Sequence, residues 1–391
     1  MTHIAVTGTK GKTTVTRIVQ HILMEEGNRV FGEYGNDGSF IDGKRDFNFR
    51  PADAYFSRSE VKESDYVVSE ATSYVLGLDV YDNLPIDVGV FTGFEELEHT
   101  ELYSSPLEYL ETKKRIFTYL NKEAIVFVNR DSEKYDQITK GQESKFISFG
   151  ENEDSDAVIS EISVSMGNTT FKLADLENNV HEITSSLYGI FNVSNITAAF
   201  LVCQKVGLSI EAIIQGIASF PGIKGRSNVY HIVDTNSIVV IDYAHTPESL
   251  RYQLEFLREN KGTRKLVTIF GCGGEKSTEK RPLMGEISAE LSDYTVLTND
   301  NPRGEQPRQI IYDIIKGMDN LHSLEVIPDR DEAIRSTLSS FHNSLILIAG
   351  KGNESETSIA GIAIPSNDFE IVNTWIVQNG YSVRGYFDYL D

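Results

Sequence analysis

Short β-branched runs alternate with amphipathic stretches along most of this chain, and this alternation constrains the fold more than any other feature of the sequence. In the first third the runs and stretches come in this order: His3–Thr7, Thr13–Glu26, Tyr66–Ser69, Asp87–Thr92, Leu107–Leu120 and Ala124–Asn129. Buried β-branched runs form strands, and amphipathic stretches form the crossover helices that parallel strands require. The pattern therefore predicts an α/β fold with a mostly parallel sheet.

This pattern changes twice farther along the chain. After residue 148 the runs are short and alternating, and Gly167–Asn168 separates Ala157–Val164 from Thr169–Leu173. Such runs predict β-hairpins added to the first sheet. Pro221–Gly222 then interrupts the chain, and strand and helix candidates alternate again after it. We therefore expect a second α/β domain, with a boundary near residue 224.

The first strand candidate leads directly into a Gly-rich loop. Its residues are Gly8, Thr9, Lys10, Gly11, Lys12, Thr13 and Thr14. A strand, a Gly-rich turn and a helix N-terminus cradle phosphates, because backbone N–H groups and the helix dipole converge on the anion. Lys12 would then reach the β- and γ-phosphates of a nucleotide, and the Thr13 hydroxyl would contact Mg²⁺. The alternative is an ordinary strand-to-helix turn with solvated lysines, since Val6 stands where the general P-loop spacing has another glycine.

Charge and composition exclude several classes of partner. The chain has 36 Lys and Arg against 58 Asp and Glu, a formal net charge of −22, which repels nucleic acid and anionic membranes. No apolar run approaches the ~18 residues of a membrane span. Cys203 and Cys272 lie outside any metal-binding spacing. We expect a cytoplasmic protein with no structural metal.

The loop from Gly8 to Thr14 resembles that of the Mur ligases, and later segments follow in the order of that family. These segments are Ser69–Ser73, Glu98–His99, Lys113, Gly189–Asn195, Gly225–Arg226, Asp242–Pro247, Gly271–Glu275, Lys280–Met284, Asp300–Arg303 and Gly350–Glu354. The chain is most similar to the tripeptide synthetase branch, since the segments at Asp242 and Asp300 are typical of it.

This resemblance implies a fold and an activity. Residues 1–223 would form a P-loop NTPase-type central domain, and residues 224–391 a Rossmann-like C-terminal domain. The enzyme would be an ADP-forming ligase that uses ATP to convert a carboxylate into an acyl phosphate. An α-amino acid, with diamino and dicarboxylic ones among the candidates, would then displace the phosphate and form an amide.

The resemblance also implies roles for residues of the first domain. The loop would bind ATP, with Lys12 catalytic, while Thr13 and Glu70 would hold one Mg²⁺. His99 and a carbamylated Lys113 would hold a second. The alternatives are an edge carboxylate at Glu70, a surface histidine at His99 and a solvated helical lysine at Lys113.

Adenine recognition is assigned by the same resemblance to two asparagines three residues apart. Asn192 and Asn195 would share one face at the start of a helix and hydrogen-bond the edges of the base. The alternative is a helix cap together with a buried contact between helices, since Asn is a good cap.

In the second domain, the resemblance implies that Arg226 and Asp242 contact the ATP phosphates and ribose. A diaminopimelate-type pocket would bind the incoming amino acid through Arg281, Asp300, Asn301, Arg303, Gly350 and Glu354. Arg303 would pair with a carboxylate, which a guanidinium binds in a bidentate fork. Glu354 would accept from a distal amine. The alternative for the Asp300–Arg303 segment is a Pro-centred turn with a solvated arginine.

Some features depart from the family pattern. Family members carry a domain that binds the uridine-nucleotide sugar before the loop, whereas here the loop begins at residue 8. Tyr74, Glu98 and Asn353 stand where the family usually has other residues. The segment Gly93–Leu97 is one residue longer than in the family. We therefore expect a different acid, either a small molecule or a peptide, or one presented by an acyl carrier or partner subunit. Two other functions stay open: elongation of a poly-amino-acid chain, as in cyanophycin or poly-γ-glutamate synthesis, and a non-catalytic nucleotide-binding subunit.

Overall fold

A computed structural model describes residues 1–33, 39–46, 59–78, 80–95, 103–142 and 146–384. Contacts divide the chain into two compact units, Met1–Phe220 and Pro221–Leu390, and each unit is described by itself. The predicted domain boundary at residue 224 stays a prediction. Among the described helices, none is both long and apolar enough to cross a bilayer.

The first unit is built on one large sheet. In the described residues its strands are β1 Thr2–Thr7, β2 Val30–Glu33, β3 Ser39–Ile41, β4 Lys44–Asp46, β5 Tyr66–Glu70, β6 Ile86–Phe91, β7 Leu120–Asn129, β8 Phe146–Gly150, β9 Ala157–Ser165, β10 Asn168–Ala174 and β11 Val180–Ser185. Their spatial order is β11-β10-β9-β8-β7-β6-β1-β5-β2-β3-β4. From β9 to β2 in this spatial order, each pair of adjacent strands is parallel. The pairs at the two ends of the sheet, among β11, β10 and β9 and among β2, β3 and β4, are antiparallel.

Helices cover this sheet. They are α1 Lys12–Glu25, α2 Ser59–Lys62, α3 Ser73–Gly77, α4 Pro106–Lys114, α5 Tyr135–Thr139, α6 Ile190–Lys205 and α7 Ile210–Ser219, with 3₁₀ turns at Val80–Asn83 and Arg115–Thr118. Ser105 caps α4 by accepting from the Glu108 N–H at 3.2 Å. The single helix predicted over Leu107–Leu120 was wrong, because the chain tightens into the 3₁₀ turn after Lys114 and buries Ile116 and Phe117.

The topology brings three chain segments to one edge of the sheet. Strand β1 lies between β5 and β6, and the residues Ile4, Ala5 and Val6 are completely buried. Val6 is in register with Glu70, the last residue of β5, and Thr7 with Phe91, the last residue of β6. The loops that follow β1, β5 and β6 therefore meet at the carboxyl ends of parallel strands, where α/β proteins bind ligands.

The second unit has a smaller sheet. Its described strands are β12 Asn228–Ile232, β13 Ser237–Asp242, β14 Lys265–Phe270, β15 Tyr294–Leu297, β16 Leu324–Val326, β17 Ser344–Ala349 and β20 Val383–Arg384, with a separate hairpin of β18 Glu356–Ile359 and β19 Ile362–Pro365. The spatial order is β16-β15-β14-β17-β13-β12-β20, and β12 and β20 are antiparallel to their neighbours.

The described helices of this second unit are α8 Pro247–Asn260, α9 Lys280–Leu291, α10 Pro307–Ile315, α11 Arg330–Ser340 and α12 Asp368–Asn379. Thr246 caps α8 in a reciprocal capping box with Ser249, and Pro247 follows at the first helical position, where its missing N–H costs nothing. The predicted α/β class, the mostly parallel sheet and the hairpin extension at β9–β11 are confirmed.

Candidate active site

The loop after β1 has the backbone of an anion-binding turn. Gly8 and Gly11 have φ angles of 133° and 83°, which favour glycine. A Cβ atom would lie 2.0 Å from the Thr92 hydroxyl at Gly8, and 2.3 Å from the Asn195 amide oxygen at Gly11. Helix α1 begins at Lys12 directly after Gly11. Gly11 brings no capping side chain to the start of α1, and a helix N-terminus of this kind suits an anion.

Two lysines converge on this loop. The Lys12 ammonium donates to the carbonyl oxygens of Gly8 at 3.0 Å and Thr9 at 2.9 Å. Lys113, on α4, donates to the same Gly8 oxygen at 2.7 Å, and its nitrogen lies 4.7 Å from the Tyr109 ring centroid. The Lys113 side chain is 1% exposed. The two ammonium nitrogens are thus less than two hydrogen-bond lengths apart, an arrangement that an adjacent polyanion would stabilise.

Two oxygen ligands suitable for Mg²⁺ flank the loop. Glu70 is buried at the end of β5, and the next residue, Ala71, donates its N–H to Val6 of the central strand. Thr13 lies in the first turn of α1. A carboxylate and a hydroxyl are the hard ligands that Mg²⁺ prefers, so the residues present fit such an ion. The predicted ligand His99 lies outside the described residues, within which no cluster of three metal-ligating side chains occurs.

Residues that follow β6 contact one side of the phosphate loop. Glu95 forms an ion pair with Lys10 at 2.6 Å, and its N–H donates to the Thr9 hydroxyl at 3.0 Å. The Thr9 N–H donates to the Gly93 carbonyl at 2.9 Å. Lys10 is therefore partly neutralised. Glu95 lies in the Gly93–Leu97 segment, whose extra residue departs from the family pattern, but no sequence motif marks Glu95 as part of the site.

The two predicted adenine contacts lie beside the loop. Asn192 donates its amide to the Tyr188 carbonyl at 2.7 Å, and Asn195 donates to the Asn192 amide oxygen at 3.2 Å. The Asn195 oxygen faces Gly11. Both amides are buried and brace α6 against the phosphate loop, and their contact with adenine stays a prediction.

In the second unit, Asp242 organises the start of its own loop. Its carboxylate accepts from the Ser227 N–H at 2.7 Å, the Ser227 hydroxyl at 3.0 Å and the Ala244 N–H at 2.8 Å. Burial raises the pKa of Asp242 above its ordinary value, against the opposing effect of Arg226. The Arg226 guanidinium lies over the Tyr243 ring, 4.5 Å from its centroid. No local pattern in the sequence identifies Ser227 as the partner of Asp242.

Four of the predicted amino-acid-binding residues come together at the carboxyl ends of β15 and β17. Asn301 donates its side-chain amide to Glu354 at 2.7 Å, and its N–H bonds to Asp300 at 2.7 Å. Gly350 lies against the Asp300 carboxylate. Burial, and then the charge of Asp300, raise the pKa of the Glu354 carboxyl. The carboxylates of Asp300 and Glu354 give the pocket negative charge suited to an ammonium group, and the buried Lys351, 3.5 Å from Glu354, balances part of it.

Arg303 stands beside this pocket in a strained conformation. Its φ angle is 51°, and the backbone is held on both sides: its N–H donates to the Ser358 carbonyl at 2.8 Å, and its carbonyl accepts from Ala360 at 2.6 Å. Its guanidinium donates to the Gly274 carbonyl at 2.7 Å. The β18–β19 hairpin thus clamps the backbone of Arg303, and strain of this kind is concentrated at functional sites.

Arg281 differs from Arg303 in having its charge balanced by protein carboxylates. It is 1% exposed, and its terminal nitrogens lie 2.9 Å from Glu305 and 3.1 Å from Asp313. Glu305 in turn accepts from the Glu275 N–H. In this structure Arg281 braces the loops around Arg303, and its predicted contact with the amino acid stays a prediction.

Comparisons with known proteins agree over both units. Residues 6–203 match the family described as Mur ligase middle domain, and residues 225–352 match the Mur ligase, glutamate ligase domain. The UDP-N-acetylmuramoyl-L-alanyl-D-glutamate–2,6-diaminopimelate ligase of Caldanaerobacter subterraneus subsp. tengcongensis is 32% identical, over 97% of this chain and 79% of the relative. That of Alkaliphilus metalliredigens is 33% identical, over 93% of this chain and 75% of the relative.

Solved structures give the same picture. A UDP-N-acetylmuramoyl-L-alanyl-D-glutamate–2,6-diaminopimelate ligase superimposes with a TM-score of 0.68 and 29% identity, covering 98% of this chain and 79% of that one. Folylpolyglutamate synthase of Mycobacterium tuberculosis, solved with ADP and AMPPCP, has a TM-score of 0.70 and 18% identity, covering 89% of this chain and 88% of that one. The second similarity shows a shared fold only.

Proposed function

The chain belongs to the Mur ligase family of ADP-forming amide ligases, and on that premise we propose that it couples the carboxylate of a peptide acid to a diamino dicarboxylic amino acid. The observation that carries the proposal is the convergence of Lys12 and Lys113 on the Gly8 carbonyl at the N-terminus of α1. This cluster of cations and N–H groups suits the triphosphate of ATP and the negative charge that builds up beside it.

The proposed reaction begins with attack of a carboxylate oxygen of the acid on the γ-phosphorus of ATP. The bond between that phosphorus and ADP breaks, and an acyl phosphate forms. Lys12 and the N–H groups of α1 hold the phosphates, so that two anions can approach each other. A Mg²⁺ bound by Thr13 and Glu70 would add positive charge there. The amine then attacks the acyl carbon, loses a proton and displaces inorganic phosphate.

Lys113 takes a second role in this proposal. As an ammonium it adds to the positive charge beside the loop. The ammonium would first lose one proton, and the neutral amine would then attack CO₂ and lose a second proton, which gives a carbamate whose oxygens would hold a second Mg²⁺ together with His99. Its support is the family resemblance and its buried place next to Gly8. A carbamate signal from labelled bicarbonate in ¹³C NMR, lost in Lys113→Ala, is the expected signature.

The amine is proposed to carry a second carboxylate and a second amino group. Arg303 offers a guanidinium fork for a carboxylate, and Glu354 together with Asp300 offers negative charge for a distal ammonium. The relatives named above are diaminopimelate ligases, which supports meso-diaminopimelate as the first amine to test. Arg226 and Asp242 are proposed to contact ATP from the second unit.

UDP-N-acetylmuramoyl-L-alanyl-D-glutamate, named for the same relatives, is the first acid to test. We place the reaction in the cytoplasm, where ATP is made available and where the two buried free cysteines stay reduced. The expected acyl carrier or partner subunit has no support in the comparisons and is left out of the proposal.

The test is ADP release by the purified chain, measured with amino acids and acids supplied singly and in pairs. We expect release to require ATP, an acid and an amino acid together, with one amide bond per ADP. Release that is indifferent to every amino acid would contradict the proposal. A ladder of products in the mass spectrum would instead favour chain elongation.

A further inference from the structure

A buried arginine, Arg330, lies behind the amino-acid pocket and belongs to none of the sequence motifs described above. Arg330 is the first residue of α11, and its side chain is 3% exposed. Its Nε and one terminal nitrogen donate to the two carboxylate oxygens of Asp368, both at 2.7 Å. Asp368 is the first residue of α12 and is itself completely buried. This is the bidentate geometry that makes Arg–carboxylate pairs rigid.

The same guanidinium also binds two backbone carbonyls. One terminal nitrogen donates to Ala349 at 3.1 Å, and the other to Asn299 at 3.4 Å. Ala349 is the last residue of β17 and directly precedes Gly350, whereas Asn299 directly precedes Asp300. A single side chain therefore joins the bases of the two loops that form the pocket.

Helix α12 completes this connection. Asn367, its N-cap, donates to the Glu354 carbonyl at 3.3 Å. Asn301 bridges directly to the Glu354 carboxylate. The distance between the Asp300–Arg303 and Gly350–Glu354 loops thus depends on how Arg330 and Asp368 are held.

We propose that Arg330 is a positioning residue that fixes the spacing of these two loops and thereby sets the affinity for the incoming amino acid. The inference rests on the proposed function, because it assigns the pocket to the amine. Charge supports it: burial opposes the charged form of Arg330, but Asp368, Asp300 and Glu354 outweigh burial and raise its pKa. The cation is therefore permanent and offsets the carboxylates of the pocket.

The test compares Arg330→Lys with Arg335→Lys in the full-length protein. Arg335 lies on the same helix and also reaches α12, where it donates to Gln378 at 3.3 Å, but it touches neither pocket loop in the contacts described. A lysine at position 330 keeps the charge and loses the fork. A second variant, Arg330→Met with Asp368→Asn, leaves no unpaired buried charge, so it is expected to fold if the single variant does not.

Two readouts separate positioning from general stability. Amide hydrogen exchange in residues 299–303 and 349–354 should become about tenfold faster in both Arg330 variants, with no change around the phosphate loop. The KM for meso-diaminopimelate should rise about tenfold, while the KM for ATP changes less than about twofold. Arg335→Lys should match the wild type in both measurements.

Unchanged exchange in both pocket loops, or equal rises in the two KM values, would overturn the inference. Faster exchange with an unaltered KM for an active amine would overturn it as well. If the wild type shows no diaminopimelate-dependent ADP release, the proposed amine is wrong, and the exchange measurement alone then decides whether Arg330 holds the loops.

Discussion

The phosphate loop of the first unit and the amino-acid pocket of the second are built in opposite ways. The phosphate loop is one continuous turn with positive charge beside it, supplied by Lys12 and by the buried Lys113. The pocket is lined by the carboxylates of the buried Asp300 and of Glu354. They are balanced by buried cations, Lys351 at 3.5 Å from Glu354 and Arg330 behind the pocket.

The two sites therefore differ in how far apart in sequence their essential residues lie. Backbone N–H groups at a helix start bind an anion with little outside help, because the helix itself aligns them. A pocket for an ammonium group needs carboxylates close together, and these repel each other unless buried cations and hydrogen bonds hold them. The phosphate loop is local, whereas the pocket depends on residues far apart in sequence.

The largest effect is expected for Lys113→Ala, which removes the α4 side chain that reaches the Gly8 carbonyl of the phosphate loop. We expect kcat to fall about a thousandfold, since a group that stabilises charge in the transition state is lost, while ATP still binds. Steady-state ADP release and ATP titration measure the two quantities. Lys114→Ala is the matched control, because the neighbouring Lys114 pairs with the exposed Glu111 of the same helix at 3.1 Å. Activity near the wild-type level would remove Lys113 from the catalytic machinery.

Comparison of Lys12→Ala with Lys10→Ala tests whether the charge of the loop is local. ATP affinity should fall about a hundredfold in Lys12→Ala and only a few-fold in Lys10→Ala, because Glu95 already neutralises Lys10. Fluorescent nucleotide displacement measures both. The reverse order of effects would show that the ion pair with Glu95 opens when nucleotide binds.

A smaller, selective effect is expected in the pocket. Arg303→Ala should raise the KM for meso-diaminopimelate about tenfold and leave the KM for ATP unchanged, since a bidentate carboxylate contact is lost. Arg308→Ala, an exposed arginine on α10, serves as the control. Equal changes in the two KM values would mean that Arg303 does not discriminate the amine from ATP.

The smallest effect is a pH dependence of amine binding. Because the pKa of Glu354 is raised by burial and by Asp300, its carboxylate becomes protonated at a higher pH than that of an ordinary glutamate. The KM for the amine should therefore rise about fivefold as the pH falls through that raised value, and the Glu354→Gln variant should lack this rise. An identical pH profile in Glu354→Gln would assign the dependence to another group.

Sequence reasoning was most successful where the determinants are contiguous. The β-branched run before Gly8 predicted the buried strand β1, and the Gly-rich loop with the amphipathic stretch after it predicted where α1 begins. The alternation of such runs and stretches predicted the α/β class. It missed the strands β2 to β4 and the β18–β19 hairpin, because strands of three or four residues are too short to show an alternating pattern. Two side-chain contacts were also not predicted: the ion pair of Lys10 with Glu95, and the hydrogen bond from Ser227 to Asp242. No local sequence pattern indicates either contact.

Arg330 is the clearest case of information that the sequence hides. It lies next to the helix cap Asp329 in a charged stretch that predicts a solvated helix start. Only the approach of α12, 38 residues farther along the chain, buries it against Asp368. A charged residue becomes structural through its tertiary partner, and periodicity does not identify that partner.

The central claim is that the carboxylate is activated by phosphoryl transfer in the first unit, and an isotope measurement tests it most directly. UDP-N-acetylmuramoyl-L-alanyl-D-glutamate carrying ¹⁸O in its reacting carboxylate is incubated with ATP and meso-diaminopimelate, and the phosphate is examined by mass spectrometry. An acyl phosphate requires one ¹⁸O atom to appear in inorganic phosphate for each amide formed. Amide formation with unlabelled phosphate, or with label in AMP, would contradict the account.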